Sequence, residues 1–151
     1  MNDPLNIILA EDDKDDCLIF NDAIQELSLS ASLQMVHDGE QLMQHLETVL
    51  TNLPDALFLD LNMPRKNGVE CLTEIKRHPT LKKIPVIIYS TSYDRKKAHM
   101  LFKTGANYYI CKPSDYEELK NIVQRTITLV KQNNDQVMEE NFYINKIKTI
   151  M

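Results

Sequence analysis

"DALFLDLNMPRKNGVE", residues 55–70, sets an apolar run, Ala56 to Leu59, directly before an acid, Asp60, and then turns the chain with Pro64 and Gly68. A short apolar run bounded by turn residues is the pattern of a buried strand. Asp60 therefore stands at the carboxyl end of a strand, and its purpose decides how the rest of the chain is read.

Four further runs have the same character: Leu5 to Ala10, Leu33 to Val36, Ile84 to Tyr89 and Tyr108 to Cys111. Between and after them, apolar residues recur at helical spacing. Cys17, Phe20, Ile24 and Leu27 form one stripe, and Leu42, Leu46 and Val49 a second. Val69, Leu72 and Ile75 form a third, Ala98, Leu101, Phe102 and Gly105 a fourth, and Leu119, Ile122, Val123, Ile127 and Val130 a fifth. Five β-α repeats imply an α/β protein in which right-handed crossovers lay helices on both faces of a parallel sheet. Ser114 followed by Glu117 has capping-box spacing and predicts the start of the last helix. Residues 1–131 are expected to form one domain. Residues 132–151 are expected to be a tail, partly helical, whose Phe142, Tyr143, Ile144 and Ile147 dock on the body or on a partner.

Composition narrows the functions. The chain has 151 residues, 43% hydrophobic and 26% charged, as a single folded domain would. A net charge of −5 lacks the positive field that drives nucleic-acid binding, so no nucleic acid is expected as a partner. No apolar run is long enough for a membrane span, and the first ten residues do not read as a signal peptide. A cytoplasmic protein with no membrane contact is expected. Cys17, Cys71 and Cys111 are far apart in apolar surroundings and read as buried free thiols. His37, His45, His78 and His99 have no metal-ligand spacing and read as surface or turn residues.

In open α/β sheets, ligands bind beyond the carboxyl ends of the strands, where the strand order reverses. The first strand ends in Glu11, Asp12 and Asp13, the third in Asp60, the fourth in Ser90 and Thr91, and the fifth in Lys112-Pro113. In the order 2-1-3-4-5, strands one and three are neighbours about 4.8 Å apart, so Glu11, Asp12 and Asp60 converge. Converging carboxylates repel unless a cation or a proton relieves them. A hard divalent ion such as Mg2+ suits such oxygen ligands. A carboxylate beside that ion is able to act as a nucleophile on phosphorus, with Lys112 and Ser90 supplying a charge and a hydroxyl to the phosphoryl oxygens. Asp13, Asp15 and Asp16 are read instead as the acidic start of the first helix.

From about Leu5 to Val130 the chain resembles the receiver domain of two-component response regulators. "ILAEDD", "LFLDLNMPRKNG", "IPVIIYSTS" and "GANYYICKP" carry the resemblance, together with their spacing. It implies a doubly wound (βα)5, flavodoxin-like fold with a parallel five-stranded sheet in the order 2-1-3-4-5. It further implies that Asp60 is the phosphoacceptor, Ser90 the hydroxyl switch, Tyr109 the aromatic switch and Lys112 the invariant lysine. Asp12, Asp60 and the main-chain carbonyl of Asn62 would ligate Mg2+, with Glu11 acting through water. A cis peptide between Lys112 and Pro113 is also implied. Phosphate on Asp60 would draw Ser90 toward it and turn Tyr109 inward, remodelling the face of helix four, strand five and helix five. Implied partners are a histidine kinase or a histidine phosphotransfer protein, a downstream protein target, and a second copy of the chain as a homodimer through the helix four to helix five face. The chain reads as a stand-alone regulatory phosphoacceptor similar to those that work with phytochrome-type kinases, rather than as an enzyme.

Several readings compete. A magnesium-dependent phosphohydrolase using Asp60 would place a second carboxylate two residues later, where this chain has Asn62. Tyr108 and Tyr109 alternate along a strand, so one is expected in the core and the other in solvent.

Overall fold

The computed structural model describes residues 4–27, 30–132 and 135–145. Among them, five parallel strands form one sheet in the order β2-β1-β3-β4-β5. They are β1 (Leu5–Ala10), β2 (Ala31–Val36), β3 (Ala56–Leu59), β4 (Val86–Ser90) and β5 (Tyr108–Cys111). β2 begins two residues before the apolar run predicts. β4 is displaced to Val86–Ser90 because Pro85 has no N–H to give, and the first donor, Val86, bonds the Asn107 side chain at 2.9 Å. Every residue of β3 and β4 is buried, as befits central strands covered on both faces.

The helices are α1 (Lys14–Glu26), α2 (Gly39–Glu47), α3 (Gly68–Arg77), α4 (Arg95–Thr104) and α5 (Tyr116–Gln132). Each begins on an acid or amide whose side chain accepts an orphan backbone N–H: Asp13, Asp38, Asn67, Asp94 and Asp115. The cap of α5 corrects the sequence expectation. Asp115, not Ser114, accepts from the Glu118 amide, at 3.0 Å, because the first turn of α5 begins one residue later than the Ser114–Glu117 spacing suggests.

Apolar side chains divide into two cores, one on each face of the sheet. α2, α3 and α4 bury Leu42, Leu46, Leu72, Ile75 and Leu101 on one face. α1 and α5 bury Phe20, Ile24, Ile122, Val123 and Ile127 on the other. Residues 135–145 return across the β5 edge, putting Phe142 into the first core and Ile144 into the second. A single 3-10 turn, Glu139–Asn141, precedes this crossing. Ile147 lies outside the described residues. Because the edge is covered, Tyr108 and Tyr109 are both buried, 3% and 1% exposed, and the expectation that one faces solvent is corrected. No cis peptide occurs among the described residues, so the Lys112–Pro113 bond is trans, the isomer an X–Pro amide still prefers by about 0.5–1 kcal/mol. Nor is any described helix long and apolar enough to cross a membrane.

Candidate functional site

Parallel pairing carries the strand ladder one residue past β1 and β3 and so fixes where the acids fall. The Asp60 amide donates to the Ala10 carbonyl and the Glu11 amide to the Val36 carbonyl, each at 3.0 Å. Glu11, Asp12 and Asp60 each present a carboxylate oxygen, and these oxygens lie within 4.8 Å of one another. Glu11 and Asp60 are buried, 1% and 5% exposed, whereas Asp12 opens to solvent. The loop after Asp60 folds back so closely that a Cβ at Gly68 would meet the Asp60 carbonyl oxygen at 2.3 Å. Glycine is therefore required where α3 starts, since no side chain fits against that carbonyl.

Lys112 reaches this cluster from the end of β5. Its amide extends the β4 ladder by donating to the Ser90 carbonyl at 2.7 Å. Its Nζ donates to Glu11 Oε1 at 2.5 Å and to Asp16 Oδ2 at 2.9 Å, stands 4.0 Å from Asp60 Oδ1, and lies 5.0 Å above the centre of the Tyr89 ring. Burial raises the Glu11 and Asp60 carboxyls above the ordinary carboxylate range, and Lys112 pulls both back toward ionisation. The Asn62 backbone amide also hydrogen-bonds the Asp60 carboxylate and favours its charge. Burial works against the charge of Lys112 itself, but hydrogen bonds to Glu11 and Asp16 outweigh it and hold the ammonium above its usual range.

Four carboxylates thus face one ammonium, an imbalance that a hard cation would relieve. The all-oxygen donor set of Glu11, Asp12 and Asp60 is of the kind that suits Mg2+. Asp16 is the residue that sequence reasoning passed over. One turn after Asp12 on α1, it shares that helix face, and this spacing was the available signal.

Ser90 and Tyr109 lie next along the sheet. Ser90 is 1% exposed, and its hydroxyl accepts from the Ser92 amide at 3.4 Å. The Tyr109 hydroxyl donates to the Ser92 carbonyl at 2.5 Å and also hydrogen-bonds the Ser90 side chain. Tyr109 is therefore already turned into the body of the protein, toward the loop that follows Ser90.

Residues 7–124 match the family model of the response regulator receiver domain. The chain belongs to this family and is a receiver domain of two-component signalling. It is 32% identical over 127 residues to the response regulator Rcp1 of Synechocystis sp., covering 82% of this chain and 86% of the relative. A probable methanogenesis regulatory protein, FilR2 of Methanothrix harundinacea, is 30% identical and covers 81% of each chain. Among solved structures, the phosphorylated cyanobacterial phytochrome response regulator RcpA superposes with a TM-score of 0.75 at 34% identity, covering 82% of this chain and 91% of that one. The Mn2+-bound form of Rcp1 superposes with a TM-score of 0.76 at 28% identity, covering 89% and 100%.

Proposed function

We propose that Asp60 is a phosphoacceptor, loaded in the presence of Mg2+ from a phosphohistidine on a kinase or phosphotransfer protein. The observation that carries this reading is a buried carboxylate at the end of β3 with the Lys112 ammonium 4.0 Å away and two further carboxylates beside it. A carboxylate oxygen of Asp60 forms the new bond to phosphorus while the phosphorus–nitrogen bond of the donor breaks. The electron pair of that bond stays on the imidazole, which leaves as a neutral ring when its other nitrogen holds a proton. Lys112 exchanges part of its contact with Glu11 for a phosphoryl oxygen, and the Ser90 hydroxyl donates to another. Glu11, Asp12, Asp60 and the Asn62 carbonyl would hold the divalent ion, which when bound screens the phosphoryl charge from the carboxylates. The Mn2+-bound form of the relative Rcp1 supports this assignment.

Phosphate on Asp60 then fixes Ser90 and, through the following loop, Tyr109. The downstream partner reads the face of α4, β5 and α5, which is also the surface for any second copy of the chain.

Incubation with a labelled small acyl-phosphate and Mg2+ tests the reading. Acid-stable, base-labile label is expected on the native chain and not on Asp60→Asn or after chelation. Catalytic consumption of the donor with no retained label would favour a phosphohydrolase instead.

A further inference from the structure

The covered edge of the sheet suggests a regulatory element within the chain itself. We infer that residues 135–145 act as a built-in effector of the switch: docked along β5 they hold Tyr109 inward, so their docking and phosphorylation of Asp60 reinforce one another. The coupling to Asp60 rests on the phosphoacceptor reading above.

An edge strand presents unpaired backbone groups, and here the returning segment satisfies them. The Tyr109 amide donates to the Phe142 carbonyl at 2.9 Å, and Tyr143 forms a parallel bridge with Tyr109. Asn145 takes the place of a neighbouring backbone, its Oδ1 accepting from the Cys111 amide at 2.7 Å and its Nδ2 donating to the Cys111 carbonyl at 2.8 Å. Upstream, Gln136 donates to the Phe102 and Ala106 carbonyls at 2.6 and 2.9 Å, and Glu139 pairs with His99 at 2.5 Å. These contacts are specific ones, made at both ends of the segment.

The aromatic contacts join the segment to the switch. Tyr143 stacks on Tyr93 with ring centres 3.9 Å apart, and the Tyr109 ring lies 6.1 Å from Phe142, 5.9 Å from Tyr143 and 5.3 Å from Tyr93. Tyr109 is thus walled by the segment on one side, with its hydroxyl anchored on the loop after Ser90 at the other end. An outward turn of this ring requires Phe142 and Tyr143 to leave. The inward ring is common to the docked segment and to the phosphorylated switch, so each favours the other. By linkage, the factor by which phosphate tightens docking equals the factor by which docking tightens the phosphorylated state.

The amides of Tyr109 and Cys111 report docking directly, because both donate to acceptors in the segment. The test is residue-resolved hydrogen exchange by NMR on the full chain, with and without acyl-phosphate and Mg2+, with label incorporation followed in parallel. Phosphorylation is expected to slow exchange at both amides by about tenfold. Asn145→Ala, which removes two hydrogen bonds from a half-buried site, is expected to speed exchange at both and to raise the donor concentration for half-labelling by the same factor that phosphate slows exchange. Full labelling with unchanged or faster exchange at the two amides would overturn the inference. Absence of label would instead remove the phosphoacceptor reading. The hold on Tyr109 is then decided in the unphosphorylated chain. If the Tyr109 ring stays buried against the loop after Ser90 in Asn145→Ala while the two amides exchange freely, the segment does not hold it.

Discussion

The two edges of the sheet follow opposite designs. At the β2 edge, exposed Ser32 and Gln34 alternate with half-buried Ala31, Leu33 and Met35, the pattern of a strand with one face in water. At the β5 edge, Tyr108, Tyr109 and Ile110 are all buried, and a returning segment pairs the backbone. The β2 edge leads only to Asp38, which caps α2 and takes an ion pair from Arg65 at 3.5 Å. The β5 edge leads to Lys112 and carries Tyr109, the groups on which phosphate recognition and switching depend. The covered edge is the one whose side chains are assigned a response.

The largest expected effect lies at the covered edge. Lys112→Ala leaves Glu11 and Asp60 without their cation, and phosphorylation by a small donor is expected to fall by roughly 10²-fold. Stripping a partner from buried carboxylates costs about 3–5 kcal/mol. The sign of its pH dependence follows from the raised carboxyls. A group with a raised folded-state pKa contributes stability that is present below its unfolded value and lost as pH rises, and removing Lys112 raises these groups further. The deficit against the native chain is therefore expected to be greatest near pH 8 and to shrink toward pH 5, read by urea titration at each pH.

Packing gives the next contrast. Phe142→Ala empties a fully packed site and is expected to cost about 3 kcal/mol, limited by the option of undocking the segment. Leu33→Ala on the open edge is expected to cost about 1 kcal/mol. Equal losses in thermal or chemical unfolding would erase the distinction between the edges.

Asp38→Ala probes the open side alone. Loss of a helix cap is expected to cost about 1 kcal/mol while phosphorylation of Asp60 is retained. A labelling defect would show that the β2 end also serves the site.

Away from both edges, Lys76 offers the smallest effect. Burial lowers its ammonium to about 8, while Nζ donates to the Ile84 and Lys82 carbonyls at 2.7 and 3.2 Å. A depressed folded-state pKa contributes stability above the unfolded value that is lost as pH falls through the folded one. Its contribution therefore favours folding progressively from about pH 8 to 10.5, and NMR titration of the Lys76 side chain should show a midpoint near 8.

Features set by local pattern were legible in the sequence. The five strands, the helical stripes and the placement of Asp60 after Ala-Leu-Phe-Leu follow from periodicity and turn residues, and the strand order brings Glu11 and Asp12 beside it. What escaped depends on contacts across long stretches of chain. Asp16 reads as a helix-start acid until Lys112, 96 residues away, is seen to bond it. Alternation places one of Tyr108 and Tyr109 in solvent, and only the return of Phe142 and Ile144 over the edge buries both. The cap of α5 falls on Asp115 rather than Ser114, a one-residue displacement where two neighbouring side chains are both competent to cap.

The central claim is most directly tested by reducing the acyl-phosphate-treated chain with borohydride, which converts an aspartyl-phosphate to homoserine, and locating that residue by mass spectrometry. Homoserine at position 60, formed only with donor and Mg2+, is the expected result. Homoserine at another acid, Asp12 or Asp16 included, or none despite full exposure to donor and Mg2+, would contradict the account.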